Sequence, residues 1–171
     1  MLHLTEVRPA RAEDLEDIIH LYILCRNDLL GKKIYQWDEH YPSRELINED
    51  FRLGILHVLV FKKEVLGVMG LTEEKEDEYD EMTWHNKSAK AIYMHRLAIH
   101  PRYQGKGYGL KMLKYAEVFS INEGYQAMRL STYITNIPAL EFYKKQKYME
   151  VGSFLYAPWE EPFVCFEKIF E

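Results

Sequence analysis

Ten residues, His100-Pro101-Arg102-Tyr103-Gln104-Gly105-Lys106-Gly107-Tyr108-Gly109, constrain this chain more than any other segment. They stand between an apolar run at 91–99 that reads as a strand and a run at 108–123 that reads as a helix. The helix reading rests on Met112, Ala116 and Phe119 at helical spacing. Glycines at three alternate positions let the backbone approach a ligand closely and turn successive N–H groups inward. The N-terminus of the following helix adds partial positive charge, and Arg102, Lys106 and Lys111 add formal charge. Together these features describe a cradle for a pyrophosphate. Two familiar phosphate loops fail on spacing. A Walker A loop needs Gly-Lys-Ser/Thr four residues after its first Gly, which is missing. A dinucleotide GxGxxG starting at Gly105 needs Gly at 110, where the chain has Leu110.

Charge placement agrees with that location. The formal net charge is −5, from 22 Lys and Arg against 27 Asp and Glu. The run 73–81 holds seven acids and one Lys, a net of −6, so the rest of the chain sums to +1. From 82 to 116 there are seven Lys or Arg and no acid. A nucleic-acid partner is not expected at this net charge, whereas a small anionic ligand beside the basic stretch is. The acidic run itself reads as a solvated loop extension, or as a lip that attracts cations.

Composition narrows the class. At 171 residues, 47% hydrophobic and 29% charged, the chain is expected to form one globular domain over 1–171. No apolar run nears the roughly 18 residues of a membrane span. The start, Met1 to Glu6, lacks a signal-peptide pattern, so a cytoplasmic location is expected. Cys25 and Cys165 have no metal-type spacing and sit among apolar residues, as buried inert thiols do. No metal site is expected.

Periodicity and turn signals give strands at 4–8, 55–62, 65–72, 91–99, 128–133, 148–156 and 163–170. Helices are predicted near 15–30, from an N-cap at Ser43 to 52, over 108–123, and from an N-cap at Asn136 to 146.

With Gln104, Gly107 and Gly109 the turn has the pattern Q-x-x-G-x-G, and here the chain resembles the GNAT superfamily of N-acetyltransferases. Arg96-Leu97-Ala98-Ile99-His100-Pro101 looks like the family strand that leads into its acetyl-CoA loop. Asn136-Ile137-Pro138-Ala139-Leu140-Glu141-Phe142-Tyr143 resembles the family's Asn helix, with its Tyr seven residues on. The resemblance implies an α/β (α+β) GNAT fold: a mixed, mostly antiparallel sheet of about seven strands flanked by about four helices. It implies acetyl-CoA as cosubstrate. Backbone groups of Leu97, Ala98 and Ile99 would pair with the pantetheine arm as an added strand does. Gln104, Gly105, Lys106, Gly107, Tyr108 and Gly109 would hold the pyrophosphate. Asn136 would bind pantetheine or simply cap its helix. Tyr143 would protonate the departing thiolate, its phenol carrying a proton up to a pKa of roughly 10. The alternative for Tyr143 is a core aromatic. The Leu97 N–H would stabilise the oxyanion.

The implied reaction is direct attack by a primary amine, expected to be a small molecule, within a ternary complex. His95 is a candidate base: its unperturbed pKa of roughly 6.5 suits the task, and it lies two residues before Leu97, so the two side chains are expected to share a face. A strand histidine satisfied by its neighbours is the alternative. Trp37, Asp38 and Glu39 lie in an aromatic and charged loop suited to an alkyl ammonium; the alternative there is a hydrophobic anchor with solvated acids. A protein or peptide N-acetyltransferase and a non-catalytic acetyl-CoA sensor stay open as functions. Ser131, five residues before Asn136, departs from the Glu typical of the family's protein N-terminal acetyltransferases. Lys147-Tyr148 departs from the usual Gly-Phe, losing a helix-ending Gly, and is expected to touch no catalytic group. A homodimer is left open.

Overall fold

The computed structural model describes residues 4–170, so the first three residues of the chain start lie outside it. Strands β1 (Thr5–Pro9), β2 (Leu56–Phe61), β3 (Glu64–Thr72), β4 (Ala91–Ile99), β5 (Ala127–Tyr133), β6 (Met149–Phe154) and β7 (Phe163–Ile169) form one sheet in the order β1-β2-β3-β4-β5-β7-β6. Every neighbouring pair is antiparallel except β4 with β5. The helices are α1 (Leu15–Gly31), α2 (Arg44–Arg52), α3 (Tyr108–Asn122) and α4 (Ile137–Lys145). This is the mixed seven-stranded, four-helix arrangement that the resemblance implied.

Alternation along the strands splits the core between two sheet faces. Val58, Val68 and Ala98 pack with Ile18, Tyr22 and Ile47 of α1 and α2. Leu59, Met69 and Met94 pack with Met112 and Leu113 of α3 and Tyr143 of α4. Helix α2 starts where Ser43 Oγ accepts the Leu46 N–H at 3.1 Å. The turn before α1 is fixed by Asp14, which accepts the Arg11 N–H at 2.7 Å and both Arg8 guanidinium nitrogens at 2.7 and 3.0 Å.

The acidic run is more than a solvated extension. It folds as a short 3-10 turn, Asp77–Glu81. Tyr79 there is only 1% exposed and packs with Met82, Trp84, Tyr93 and Cys165. Tyr79 within the charge run, with Met82 and Trp84 just after it, is what docks the segment on the sheet. The segment after it is tied down by Glu167, whose carboxylate takes the His85 N–H at 2.7 Å and the Arg129 Nε at 3.0 Å.

Two features of β4 create the site. Its parallel ladder with β5 covers only Ala91–Tyr93 against Ala127–Arg129, although β4 continues to Ile99 and β5 to Tyr133. Beyond Tyr93 the two strands part. A bulge also interrupts β4 where its pairing with β3 steps from Gly70↔His95 to Val68↔Ala98. Arg96 sits in the bulge with φ +52°, a left-handed conformation unusual for a residue with a side chain.

Candidate active site

The bulge overturns one expectation about His95. Met94 and Leu97, three residues apart, pack into the same α3-side core, so His95 and Leu97 lie on opposite faces. The extra residue inverts the alternation that a regular strand would keep.

The free edge of β4 faces the gap left by β5. His100 N–H donates to Leu66 O on β3 at 2.8 Å. Successive strand residues point their backbone groups to opposite sides, so the Ile99 amide faces the gap. Ile99 O accepts from Gln104 Nε2 at 3.0 Å and from Cys25 Sγ at 3.3 Å. The Gln104 side chain therefore locks the end of the strand. The glycine turn follows, with Gly105 at φ +71° and Gly107, the N-cap of α3, at φ +86°. These left-handed positions suit glycine. The N–H groups of residues 105–110 find no acceptor among the described residues, so six consecutive donors meet at a helix N-terminus. Lys106 Nζ lies 2.9 Å from Arg102 O.

Three local expectations change. The Tyr108 side chain is buried in the core against Tyr103, leaving only its backbone for a ligand. Lys111 bonds to Thr5 Oγ1 at 2.9 Å and to Thr5 O, so its charge goes to β1. The surroundings are free of acids in sequence but not in space, because Asp28 of α1 borders the same channel and pairs with Lys32 at 2.6 Å.

The channel, of about 280 Å³, runs from Gln104 and Gly109 past Leu97, Ala98 and Ile99 to Asn136 and Tyr143. Asn136 both caps and clamps: its Oδ1 accepts the Ala139 N–H at 3.3 Å, and its Nδ2 donates to Gln36 Oε1 at 2.8 Å. Burial raises the Tyr143 phenol well above its usual pKa, so it holds its proton. The phenol has no hydrogen-bond partner among the described residues. Helix α4 ends in a Schellman motif just after it, with Lys147 N–H on Lys144 O at 3.0 Å and Tyr148 N–H on Tyr143 O at 3.1 Å. Lys147 takes the left-handed position at φ +65°. The Lys147-Tyr148 departure thus reaches the turn that carries Tyr143. Both cysteines are buried, which pushes their thiols up to about 12.

A second cavity of about 110 Å³ adjoins the channel, and Gln36, Trp37, Met94, Arg96 and Ser131 border both. Trp37 stacks edge-on against Tyr22 at 5.5 Å. Trp159 roofs the cavity, its indole N–H donating to Gln36 O at 2.8 Å and its ring meeting Tyr41 at 5.6 Å. Arg96 donates to Tyr41 Oη at 3.0 Å and to Asp50 Oδ2, and its carbonyl accepts from Tyr22 Oη at 3.0 Å. Its side chain is 9% exposed, and Arg96 Nε is a buried donor without a partner among the described residues.

Asp38 and Glu39 stand elsewhere. Asp38 Oδ1 accepts the N–H groups of His40 and Tyr41 at 2.8 and 2.9 Å, so it staples its own loop. Glu39 is 83% exposed and reaches only His40. The carboxylate that borders the cavity is Glu76. His95 borders it too, and burial with the nearby Arg96 charge pushes its imidazole down to about 4. It is neutral at pH 7 and a much weaker base than an ordinary histidine.

The channel thus brings together the splayed strand pair, the glycine turn and Tyr143. The family model described as the acetyltransferase (GNAT) family matches residues 15–148. The chain belongs to the GNAT acetyltransferase family. It is 27% identical over 147 residues to the uncharacterized N-acetyltransferase YesJ of Bacillus subtilis (strain 168), covering 85% of this chain and 82% of that one. Among solved structures, it superposes on a GNAT-family acetyltransferase from Streptococcus agalactiae 2603 with TM-score 0.81 and 20% identity, over 98% of this chain and 96% of the other. A GNAT-family acetyltransferase from Listeria monocytogenes 4b F2365 gives 0.77 and 20%, over 97% and 95%. The protein is thus a GNAT N-acetyltransferase, a family whose cosubstrate is acetyl-CoA. No described helix is long and apolar enough to cross a membrane.

Sequence reasoning did not single out Arg96, Glu76, Gln36 or Trp159, which border the second cavity; only the reading of the acidic run as a cation-attracting lip pointed towards Glu76. Arg96 and Gln36 carry no local signal. Glu76 was hidden in a charge run, and the aromatic spacing of Tyr156 and Trp159 was the one hint of a roof.

Proposed function

We propose that this chain transfers the acetyl group of acetyl-CoA to the primary amine of a small molecule. The observation that carries the reading is the half-open, aromatic-lined 110 Å³ cavity that meets the channel at Arg96 and Ser131. A space of that size suits a compact amine better than a folded protein surface. In this reading the pyrophosphate lies on the amides of 105–110 and the pantetheine arm runs along Leu97 to Ile99. The Leu97 N–H meets the oxyanion as the amine attacks the thioester carbonyl. The C–S bond then breaks, and Tyr143 gives its proton to the thiolate. The domain is taken as 1–171, in keeping with one continuous sheet.

The test is CoA release with acetyl-CoA and a panel of alkylamines, arylalkylamines, polyamines, amino acids and aminoglycosides, run beside peptides with free N-termini or lysines. Turnover of small amines is expected. Turnover of peptides alone would replace this reading with a protein acetyltransferase. Acetyl-CoA binding without any turnover would replace it with a sensor.

A further inference from the structure

We infer that Glu76 holds the ammonium of a compact amine that lacks a carboxylate, and takes its proton before attack; this deepens the proposed function and rests on it. The cavity wall is mostly aromatic, with rings from Trp37, Tyr41, Phe154, Tyr156, Trp159 and Phe163. Such a wall attracts a cation through its ring faces. Glu76 is the carboxylate set into it. Its side chain is 43% exposed, and its backbone is fixed because Glu76 O accepts the N–H of the buried Tyr79 at 3.1 Å.

The charges around it select the ligand. From β4, Arg96 borders the cavity, but its charge is taken up by Asp50 of α2 and by Tyr41. His95, with Nδ1 3.8 Å from Glu76 Oε1, is neutral at pH 7. From the β6–β7 loop comes the uncharged Tyr156. Asp77 and Glu78 follow on the same segment and add negative charge. Arg96, Asp50 and Glu76 leave one net negative charge at the wall. A cation is favoured there, whereas the carboxylate of an amino acid would face Glu76 with only a compensated arginine to meet it. The cavity is half open, with about 110 Å³ of room for the amine end of a ligand. Burial, with Glu78 adding to it, raises the Glu76 carboxyl above its ordinary value, which makes it a stronger base than a solvated glutamate.

The protons balance. The ammonium gives one proton to Glu76, the neutral amine adds to the thioester carbonyl to form the N–C bond, and the C–S bond then breaks. Tyr143 protonates the thiolate, and the proton lost by the new amide nitrogen restores Tyr143. Glu76 returns its proton to solvent, so one proton is released per turnover.

The experiment compares wild type with Glu76→Gln at pH 7, using matched pairs with and without a carboxylate: isobutylamine against valine, and 2-phenylethylamine against phenylalanine. Methoxyamine, already neutral at pH 7, is the control. Wild type should prefer the amine of each pair at least tenfold in kcat/KM. Glu76→Gln should lose about a hundredfold in kcat/KM on the amines, with acetyl-CoA affinity unchanged. The deficit should shrink below tenfold on methoxyamine, which needs no base. A preference for the amino acids, a loss within threefold, or an equal loss on methoxyamine would each overturn the assignment while leaving amine acetylation in place. If wild type turns over no small amine, the proposed function itself fails and the inference with it.

Discussion

The channel and the second cavity, proposed above as the acceptor site, meet at Arg96, yet they offer a ligand different kinds of contact. The channel takes its free backbone amides from one continuous stretch, Leu97 through Leu110, while its walls also draw on α1, β5, Asn136 and α4. The acceptor cavity draws Trp37 and Tyr41 from the α1–α2 loop, Glu76 from the β3–β4 loop and His95 and Arg96 from β4. Ser131 comes from β5, and Tyr156 and Trp159 from the β6–β7 loop. A ligand held by backbone amides can be met by a short local motif whose chemistry is in glycine positions and a helix terminus. A ligand held by side chains needs a wall gathered from distant loops. Chemistry assigned to the channel should therefore act on every acceptor alike, and chemistry assigned to the cavity should vary with the acceptor.

The most severe test of that division is Tyr143→Phe. The Tyr143 phenol borders the channel without a partner among the described residues, so its removal leaves the packing of the ring intact. The expected outcome is a fall in kcat of about 10²–10⁴, the same for every amine, with acetyl-CoA affinity within twofold of wild type. Steady-state kinetics on two unlike amines, with calorimetric titration of acetyl-CoA, check it. A loss on one amine and not the other would move Tyr143 from the channel's chemistry to the cavity's.

A smaller effect is expected in the cavity wall. His95 stays neutral in the folded protein down to about pH 4, whereas an unfolded histidine gains its proton near 6.5. Between those values the unfolded state binds the extra proton, so stability falls as pH drops from 6.5 towards 4. From pH 7 to pH 5 the His95 share of that loss is about 2 kcal/mol. Urea unfolding of His95→Gln at both pH values should show a smaller drop than wild type by that amount. His57, also lowered by burial, and the paired Asp14 contribute to both proteins and cancel. Equal drops would mean that the cavity holds a solvated histidine, and so a wetter wall than its aromatic lining indicates.

The same division governs how much could be read from the sequence. Strand and helix positions, the sheet's mixed character and the glycine turn follow from periodicity, caps and spacing, which are local. Ser43 and Asn136 cap the helices where their side chains predicted. The β4 bulge was not legible, because nothing in Met94-His95-Arg96-Leu97 demands a left-handed Arg96. Tertiary bonds from Tyr22, Tyr41 and Asp50 hold it there. Asp38 and Glu39 were plausible by residue type, but a short turn used the first carboxylate on its own backbone and left the second in water. Glu76 was obscured by its neighbours, since a run of seven acids reads as solvent-facing until the burial of Tyr79 fixes one of them against the sheet.

The mildest perturbation bears on the channel side. Lys147 holds a left-handed position that a side chain enters at a cost of roughly 1–2 kcal/mol, partly offset by the greater freedom glycine has in the unfolded chain. Lys147→Gly should therefore stabilise the fold by about 0.5–1 kcal/mol, a rise in Tm of about 2 °C for a chain of this size. The hydrogen bonds of the motif run from the N–H groups of Lys147 and Tyr148 to the carbonyls of Lys144 and Tyr143, and none uses the lysine side chain. Tyr143 and Tyr148, whose rings meet at 5.8 Å across the same turn, should stay in place, and kcat should not change. Thermal unfolding and steady-state rates on the same preparation decide it. A stabilised variant with altered kcat would mean that strain at Lys147 helps set the position of the Tyr143 phenol, and that the channel depends on tertiary strain as much as the acceptor cavity does at Arg96.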